Sequence, residues 1–338
     1  YEHLEGGILE SFGRLFRNDL KLYVYPLFDE TTRQLVTVQR LKVAPALQGL
    51  YEHLCENGYI ESIDFYNRDY LRIFSRDELK QSEMATKFDH DHRLRFFVGD
   101  VRSRERLSRA TKGVDYIVHA AAMKQVPAFE YNPFEAIQTN VLGSQHIVDA
   151  AIDNGVKTVV ALSTDKAVNP VNLYGATKLC EEKLIVQGNA YAAGSDAKLC
   201  CVRYGNVVGS RGSVVPVFRE QIASGQLTIT DARMTRFWIT LDEAVDLVLY
   251  ALEHTEGGEV FVPKIPSMKV TDLASAVAPD AVQKVVGIRP GEKLHEQMIG
   301  PEDSYYTYEY DQHFKILPAI HNWDTTSERI KNGVKVPE

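Results

Sequence analysis

From about residue 73 onward, short runs of β-branched and aromatic residues alternate with longer segments in which apolar residues recur at helical spacing. The short runs predict buried strands, and they occupy 71–74, 94–98, 114–118, 158–162 and 199–202. Helical spacing is clearest after Asn132, where it connects Ile137, Val141, Ile147, Val148 and Ala151. This alternation predicts an α/β fold, a doubly wound parallel sheet with helices on both faces. Such sheets bind ligands beyond the carboxyl ends of their strands, so we expect the chemistry directly after the apolar runs.

Further along the chain the regular alternation weakens, and segments punctuated by Gly and Pro follow. One clear helix is predicted over Leu241–His254 and one strand over Val260–Val262. These features predict an α/β core over 73–210 and, over 211–338, mainly a smaller substrate-binding lobe and a tail. The tail from Glu302 is rich in tyrosine and has no period, so we assign it no regular structure.

The N-terminal residues do not follow this pattern. They contain strand-like stretches at Leu22–Tyr25 and Leu35–Val38 and one amphipathic helix candidate at Ala46–Glu56. We therefore treat residues 1–72 as a separate segment, to which the pattern assigns no role.

Composition limits the partners of the protein. The 338 residues are 44% hydrophobic and 25% charged, as in soluble globular proteins, and the net charge of −8 gives no overall attraction to nucleic acid or anionic membranes. No apolar run is long enough to cross a bilayer, and the chain does not open with a secretory signal. The cysteines lack metal-ligand spacing, and His90 and His92 lie in a polar stretch that predicts a solvated loop rather than a metal site. We expect a cytoplasmic protein with no membrane, nucleic-acid or metal partner.

One motif combines a tyrosine and a lysine at helical spacing. Asn172 opens a predicted helix in which Tyr174 and Lys178 share a face, one turn apart. A nearby ammonium favours the phenolate and lowers the pKa of a tyrosine, which predicts that Tyr174 is a usable base. Of the 17 tyrosines, Tyr174 alone is followed by a lysine four residues later. The spacing by itself fits an exposed helix pair without function equally well.

A carboxyl group and an amine stand side by side where the run 158–162 ends. Asp165 and Lys166, in Ser163-Thr-Asp-Lys166, would lie where a parallel sheet exposes its ligands. Two such groups that reach one substrate can divide acid and base roles. As an isolated dipeptide they would indicate a solvated turn, but the strand end and the nearby Tyr174 favour the functional interpretation.

Long strings of the sequence resemble one protein family. They are SRDELKQSEMA from Ser75, HAAAMKQVPAFEYNPFEAIQTNV from His119, STDKAVNPVNLYGATK from Ser163, RYGNVVGSRGSVVP from Arg203, ARMTRFWITLDEAVDLV from Ala232, GGEVFVPKIPSMKVTDLA from Gly257 and GIRPGEKLHEQM from Gly287. Up to about Pro318 the chain resembles the extended short-chain dehydrogenase/reductases. More narrowly, it resembles the inverting UDP-N-acetylglucosamine 4,6-dehydratases of pseudaminic acid biosynthesis.

Single positions separate the neighbouring groups of this family. Sugar 4-epimerases generally have no Asp-Lys pair at this strand end, and retaining dTDP-glucose dehydratases have Asp-Glu there. Large membrane-anchored UDP-N-acetylglucosamine dehydratases typically have Met at the position of Tyr174. The presence of Asp165, Lys166 and Tyr174 therefore resembles the short soluble inverting branch. The resemblance implies a Rossmann-like, dinucleotide-binding core over 73–210.

The resemblance also implies a role for each residue of the motif. Tyr174 removes the proton of the sugar 4-hydroxyl while hydride passes from carbon 4 to NADP+, and Lys178 holds the cofactor ribose. Lys166 is the base that takes the proton from carbon 5. Asp165 is the acid that assists departure of the carbon 6 hydroxyl as water. Hydride then returns to carbon 6, and carbon 5 is reprotonated on the opposite face.

Further binding residues are implied at matching positions. For NADP they are Ser75, Arg76 and Lys80 at the extra ribose phosphate, Asp100 and Val101 at the adenine, and Ala120, Ala121 and Ala122 near the pyrophosphate and ribose. For the UDP-sugar they are Lys124, Asn206, Arg236, Arg289 and Glu292. Taken singly, the charged residues also fit surface ion pairs and the alanines fit core packing. The family often forms oligomers, so a homo-oligomer is expected.

The glycine-rich turn that holds the cofactor pyrophosphate in this family is missing. The corresponding stretch, Leu50–Glu56, contains no glycine, and the similar string at Gly6–Gly13 stands too early and lacks a preceding strand. Two hypotheses therefore remain open. The chain is an active NADP-dependent lyase, or it is a nucleotide-sugar-binding or structural protein with an impaired cofactor site. Another dehydratase or epimerase of the same fold is a further alternative.

Overall fold

The computed structural model describes residues 24–25, 71–210, 213–320 and 328–337. The strand predicted at Leu35–Val38, the helix predicted at Ala46–Glu56 and the stretch that replaces the glycine turn lie outside these residues.

The strands confirm the pattern of short apolar runs. Numbered in chain order, they are β1 Val24–Tyr25, β2 Leu71–Ser75, β3 Leu94–Val98, β4 Tyr116–His119, β5 Thr158–Thr164, β6 Lys198–Tyr204, β7 Asn206–Val207, β8 Gln226–Ile229, β9 Thr235–Ile239, β10 Val260–Pro263, β11 Ser267–Lys269, β12 Val282–Val285, β13 Thr307–Glu309, β14 His313–Ile316 and β15 Val334–Lys335. Each run predicted to be a strand within the described residues forms one. The predicted α/β class is therefore confirmed.

Ten of the described strands form one large sheet in the order β15-β13-β14-β10-β6-β5-β4-β1-β2-β3. The neighbours β2 and β3 are parallel, and so are β4, β5, β6 and β10 in turn. The short β1 lies between the two parallel groups and is antiparallel to both, with Val24 paired to Arg72 on one side and to Ile117 on the other. The carboxyl ends of β4, β5 and β6 consequently meet at one edge of the sheet.

Helices pack on both faces of this sheet and against the smaller sheets. They are α1 Glu78–Lys87, α2 Arg104–Thr111, α3 Val126–Tyr131, α4 Pro133–Ile137, α5 Gly143–Asp153, α6 Leu173–Tyr191, α7 Val214–Gln221, α8 Leu241–His254, α9 Val270–Val277 and α10 Pro301–Ser304. The bounds predicted for α8 are confirmed, because Thr240 and Glu243 form a capping box that fixes its start. None of the helices in the described ranges combines the length and the apolar composition that a bilayer crossing needs.

Successive residues of the central strands are buried on opposite faces. Phe74, Ile117 and Val159 belong to one hydrophobic cluster, together with side chains from α2, α5 and α6. Their neighbours Ile73, Val118 and Val160 belong to a second cluster on the α8 side. Strands that are buried on both faces have continuous rather than alternating apolar runs, which is why the sequence pattern located them.

The tail from Glu302 departs from expectation, because it contains β13, β14 and β15. Strand β14 pairs antiparallel with β10, and His313 lies opposite Pro263. The assignment of no regular structure was therefore wrong. The ladder with β10 stabilises this segment, and such pairing between distant residues leaves no period in the sequence. Part of 211–338 thus belongs to the large sheet. Two small sheets, β11-β9-β7 and β12-β8, contain its remaining described strands.

Candidate active site

A cavity of about 340 Å³ opens at the carboxyl ends of β4, β5 and β6. A parallel sheet binds its ligands at this edge, because the loops that leave neighbouring strands diverge there. The cavity brings together seven residues that the sequence analysis selected, namely Ala120, Ala122, Lys124, Lys166, Tyr174, Lys178 and Asn206. Ser163 and Thr164, from the strand-end motif, also line it, together with residues that the sequence pattern did not indicate, including Gln125, Tyr204, Ser210 and Ser213.

The Asp-Lys pair stands where β5 ends. A single 3-10 turn, Asp165–Ala167, follows the strand directly. The Lys166 ammonium donates hydrogen bonds to Asp165 Oδ1 at 2.9 Å and to Asn206 Oδ1 at 3.0 Å. Two acceptors from different elements therefore fix the direction of the amine at the cavity wall.

Asp165 is fully buried, unlike its neighbour Lys166. Its Oδ1 also accepts a hydrogen bond from Thr164 Oγ1 at 2.9 Å. Its Oδ2 is buried and has no hydrogen-bond partner among the residues that the structure describes. A buried carboxylate oxygen without a partner costs free energy, which indicates an atom that is available to a ligand or a proton.

Helix α6 presents Tyr174 to the same cavity. Asn172 caps the helix by accepting a hydrogen bond from the backbone N–H of Gly175 at 2.7 Å. Glycine is needed at this position, because a Cβ on Gly175 would lie 2.2 Å from the carbonyl oxygen of Lys166. The missing side chain lets the first turn of α6 pack directly on the turn that carries Asp165 and Lys166.

The pKa of Tyr174 does not behave as its spacing from Lys178 predicts. Burial raises it, the charges of Glu181 and Asp165 raise it further, and a hydrogen bond with Thr164 opposes the rise. The expected lowering is therefore wrong for this structure. Desolvation disfavours the phenolate, and the lysine charge is neutralised elsewhere.

Lys178 lines the cavity on the same helix face as Tyr174, as predicted, but its ammonium has other partners. It donates hydrogen bonds to Glu181 Oε2 at 2.5 Å and to the carbonyl oxygen of Leu162 at 2.7 Å. The sequence analysis missed Glu181. Its position three residues after Lys178, on the same helix face, is the signal that would have found it.

The residues implied for the cofactor phosphate and adenine lie outside the cavity, where β2 and β3 end. Arg76 pairs with Asp100 at 3.3 Å, and Lys80 pairs with Asp77 at 3.3 Å. Asp100 also pairs with Arg102 at 2.8 Å, and the hydrogen bonds from Arg102 lower the pKa of Asp100 against the effect of its burial. This group combines the accessible guanidinium groups of Arg76 and Arg102 with the Asp100 carboxylate at the neighbouring ends of β2 and β3.

Three of the other residues implied for the cofactor, Ser75, Val101 and Ala121, are buried. Ser75 accepts a hydrogen bond from the Asp77 backbone N–H at 3.1 Å, and Val101 packs in the core. Ala121 also belongs to the core, whereas its neighbours Ala120 and Ala122 line the cavity.

Arg236, Arg289 and Glu292 do not line the cavity. Arg236 is 9% exposed and donates to the carbonyl oxygens of Thr235 and Leu294. Glu292 accepts a hydrogen bond from the Arg289 backbone at 3.2 Å. The turn that contains both lies beside the start of α6, because Asn172 Nδ2 donates to the carbonyl oxygen of Gly291 at 2.7 Å.

A π-helical turn supports the loop that follows β4. In this turn, Gln138–Leu142, Asn140 is completely buried. Asn140 Oδ1 accepts from the Met123 backbone at 2.9 Å, and Nδ2 donates to Thr177 Oγ1 at 3.0 Å. One side chain therefore joins the loop that carries Lys124 to helix α6. No pattern in the sequence indicated Asn140, because the π-helical turn, a feature that often occurs at functional sites, is visible only in the structure.

Comparison with known proteins gives a family match over residues 57–318, to a family described as "Polysaccharide biosynthesis protein". The chain is 55% identical over 260 residues to the UDP-N-acetylglucosamine 4,6-dehydratase (inverting) of Campylobacter jejuni subsp. jejuni serotype O:2, which covers 76% of this chain and 78% of that protein. It is 47% identical to the UDP-glucose 4-epimerase of Rickettsia typhi over 69% of this chain and 70% of that one.

Solved structures are similar as well. The X-ray structure of Pen from Bacillus thuringiensis is 38% identical, with a TM-score of 0.72, and the match covers 74% of this chain and 81% of that one. The dTDP-glucose 4,6-dehydratase DesIV from Streptomyces venezuelae is 22% identical, with a TM-score of 0.61, over 76% of this chain and 86% of that one. At this identity the second likeness supports the fold alone.

Proposed function

Because the chain belongs to the polysaccharide biosynthesis protein family and, within it, to the inverting UDP-N-acetylglucosamine 4,6-dehydratases, we propose that it removes water from UDP-N-acetylglucosamine. The product is the 4-keto-6-deoxy sugar nucleotide with inverted configuration at carbon 5. The observation that carries the proposal is the meeting of Tyr174 and Lys166 at one cavity, with the buried Asp165 carboxyl group 2.9 Å from the Lys166 amine.

Each side chain can perform one proton transfer. Tyr174 accepts the proton of the sugar 4-hydroxyl as carbon 4 is oxidised. The resulting ketone acidifies the proton on carbon 5, which Lys166 takes as a neutral amine. Protonated Asp165 gives its proton to the carbon 6 hydroxyl, which leaves as water. The protonated Lys166 and the Asp165 carboxylate then lie 2.9 Å apart, a distance at which a proton can be shared.

The residues at the cavity fit a nicotinamide cofactor. Ala120 and Ala122 line it with small side chains that leave room beside Tyr174. A nicotinamide bound there would supply hydride transfer, from sugar carbon 4 and back to carbon 6, and a proton added to carbon 5 on the opposite face would complete a reaction with no net redox change. Lys178 would hold its ribose.

We assign NADP as this cofactor. The proposed adenine-side residues are Ser75, Arg76, Lys80, Asp100 and Val101, and Ala121 adjoins the cavity-lining alanines. The exposed guanidinium of Arg76, held beside Asp100, suits a doubly charged ribose phosphate better than a neutral hydroxyl. Replacement of Arg76 by Ala should therefore weaken NADP+ by about 10- to 100-fold, the value of one charge-assisted hydrogen bond, and leave NAD+ binding nearly unchanged.

For the UDP-sugar, Lys124 and Asn206 supply polar contacts inside the cavity. Arg236, Arg289 and Glu292 would bind the UDP part, and the turn of the last two already lies against the start of α6. The proposal includes a place in pseudaminic acid biosynthesis, a cytoplasmic location and a homo-oligomer. The described cysteines Cys180, Cys200 and Cys201 are free thiols, as a reducing compartment requires.

Two other functions remain candidates because specific observations favour them. The absence of glycine from Leu50–Glu56 favours a nucleotide-sugar-binding protein without turnover. The identity of 47% to a UDP-glucose 4-epimerase favours epimerisation at carbon 4.

Product analysis separates these functions. The purified full chain is incubated with NADP+ and UDP-N-acetylglucosamine, and the products are followed by NMR, while NADP+ binding is measured by calorimetry. We expect a 4-keto-6-deoxy product with inverted carbon 5. Epimerisation of carbon 4 without water loss would replace the proposal by the epimerase function. Unchanged substrate and no NADP+ binding at millimolar concentration would leave the binding protein.

A further inference from the structure

Lys178 forms an ion pair inside the protein. Its side chain is 3% exposed and that of Glu181 is 1% exposed, and the two groups are joined by the hydrogen bond of 2.5 Å. The second oxygen of Glu181, Oε1, is buried without a hydrogen-bond partner in the described part of the chain. A carboxylate in such surroundings depends on its counter-ion, so the lysine charge is committed to Glu181.

The other groups around Glu181 do not replace that counter-ion. Burial and the nearby Lys178 lower the pKa of His119, on β4, to about 3, so this imidazole is neutral. On β6, burial raises the pKa of both Cys201 and Tyr204, and the charge of Glu181 adds to the effect. These side chains are therefore uncharged near neutral pH.

The neighbouring carboxylate is paired separately. Glu182 accepts hydrogen bonds from Arg203 Nε at 2.9 Å and from Arg203 Nη2 at 2.7 Å. Burial raises the pKa of Glu181 to about 7, a rise that Lys178 opposes and Glu182 strengthens. The negative charge of Glu181 therefore increases as the pH rises through about 7, the pH range in which a tyrosine that serves as a base would begin to ionise.

Glu181 acts on Tyr174 through position as well as charge. The two residues are seven positions apart on α6, about two helical turns, and Lys178 lies between them on the same face. Among the charges that raise the pKa of Tyr174, Glu181 is the largest contributor, ahead of Asp165 on the 3-10 turn. The same carboxylate therefore binds the ammonium that would stabilise a phenolate and repels the phenolate itself.

We propose that Glu181 is a positioning residue that holds the Lys178 ammonium in the interior and restrains ionisation of Tyr174. The proposal rests on the proposed function, in which Tyr174 accepts the first proton. It implies that removal of the carboxylate charge, with the side-chain volume retained, makes Tyr174 a stronger acid in the protein without ligands.

Direct titration of the phenol tests this. The full chain is labelled with tyrosine carrying ¹³C at the ζ position, and the chemical shifts are followed by NMR as the pH is raised. The spectrum of Tyr174→Phe identifies the signal of Tyr174. We expect Glu181→Gln to lower the midpoint of that signal by about one pH unit, the size expected for charges roughly 10 Å apart at an effective dielectric constant of about 20.

Glu182→Gln is the matched control, because it removes an adjacent buried carboxylate that pairs with Arg203 instead of Lys178. It should lower the melting temperature and leave the Tyr174 midpoint in place. An unchanged or higher midpoint in Glu181→Gln overturns the proposal. If that variant does not fold, Glu181→Met replaces it, and failure of both to fold shows a purely structural role and also overturns the proposal. The titration needs no turnover, so an inactive wild-type protein would contradict the proposed function without affecting this result.

Discussion

Lys166 and Asn206 are 40 residues apart in the chain, yet the lysine ammonium lies 3.0 Å from the asparagine side-chain oxygen. The contact joins the turn after β5 to the short strand β7. Together with Asp165, it directs the amine along one side of the cavity. A base that must act on one face of a sugar ring requires such fixed geometry.

Removal of the Lys166 amine should abolish water loss without unfolding the protein. Lys166→Ala is expected to lower the dehydration rate by about 10²- to 10⁴-fold, the usual contribution of a positioned acid or base. Exchange of the carbon 5 proton with deuterium from solvent should stop as well. Lys183→Ala, at an exposed position on helix α6, is the matched control and should keep both activities. Normal deuterium exchange in Lys166→Ala would remove this residue from the proposed role.

The close contact at Gly175 should not tolerate a methyl group. In Gly175→Ala, the new Cβ would lie 2.2 Å from the Lys166 carbonyl oxygen, so either the helix start or the turn must move. We expect a loss of about 1–3 kcal/mol in the free energy of unfolding and a fall in dehydration rate of at least about tenfold.

Urea denaturation and product assays measure these two effects. Ala176→Gly, at the next position of α6, is a control for helix propensity and should cost about 0.5–1 kcal/mol. Equal losses of stability in the two variants would show that the contact with Lys166 has no special weight.

A buried ion-pair network contacts the carboxyl end of β5 through Ser163. Glu182 accepts hydrogen bonds from Ser163 at 2.5 Å and from Arg203, whose guanidinium also pairs with Asp303 at 2.7 Å. Glu182→Ala leaves the Arg203 charge with one fewer partner and should lower the free energy of unfolding by about 3–5 kcal/mol.

The network's energetics can be checked in a second variant. The double replacement Glu182→Leu with Arg203→Met removes both charges of the central pair and should cost less than Glu182→Ala alone, because no buried charge is left without its partner there. Urea denaturation compares the two. A double variant that is clearly less stable than the single one would contradict this view of the network.

His313 should make the protein sensitive to acid. Burial lowers the pKa of His313 to about 4 from its ordinary 6.5, and the charge of Lys315 adds to the effect. Between these two pH values the imidazole is neutral in the folded protein but protonated in the unfolded chain. The free energy of unfolding that depends on neutral His313 is therefore fully present above pH 6.5 and is lost as the pH falls toward 4. It amounts to about 2–3 kcal/mol when partial contact with solvent is allowed for.

His313→Phe keeps the ring that stacks on Tyr310 and removes the titrating group. The variant should lose less stability than the wild type between pH 6.5 and pH 4, as measured by thermal melting at several pH values. Exposed His90 provides the control, and His90→Gln should follow the wild type. Parallel curves for wild type and His313→Phe would show that another group causes the acid sensitivity.

The sequence was sufficient for features that depend on local order along the chain. Strands β2, β5 and β6 were located because both of their faces are buried, which produces continuous apolar runs. Helix α8 was located because its apolar residues recur at helical spacing, a pattern that is local to the segment. The common helix face of Tyr174 and Lys178 follows from the helical repeat itself, and the placement of Asp165 and Lys166 at a strand end follows from the apolar run before them.

Tertiary structure decided what depends on neighbours that are distant in sequence. It paired β14 with β10, brought Asn206 to Lys166 and enclosed the cavity at the sheet edge. It also reversed the predicted direction of the Tyr174 pKa shift, because that pKa depends on burial and on where the Lys178 charge is directed. Spacing along a helix determines which side chains can meet. Desolvation and the choice between competing partners determine which charges result, and both arise only when the chain has folded.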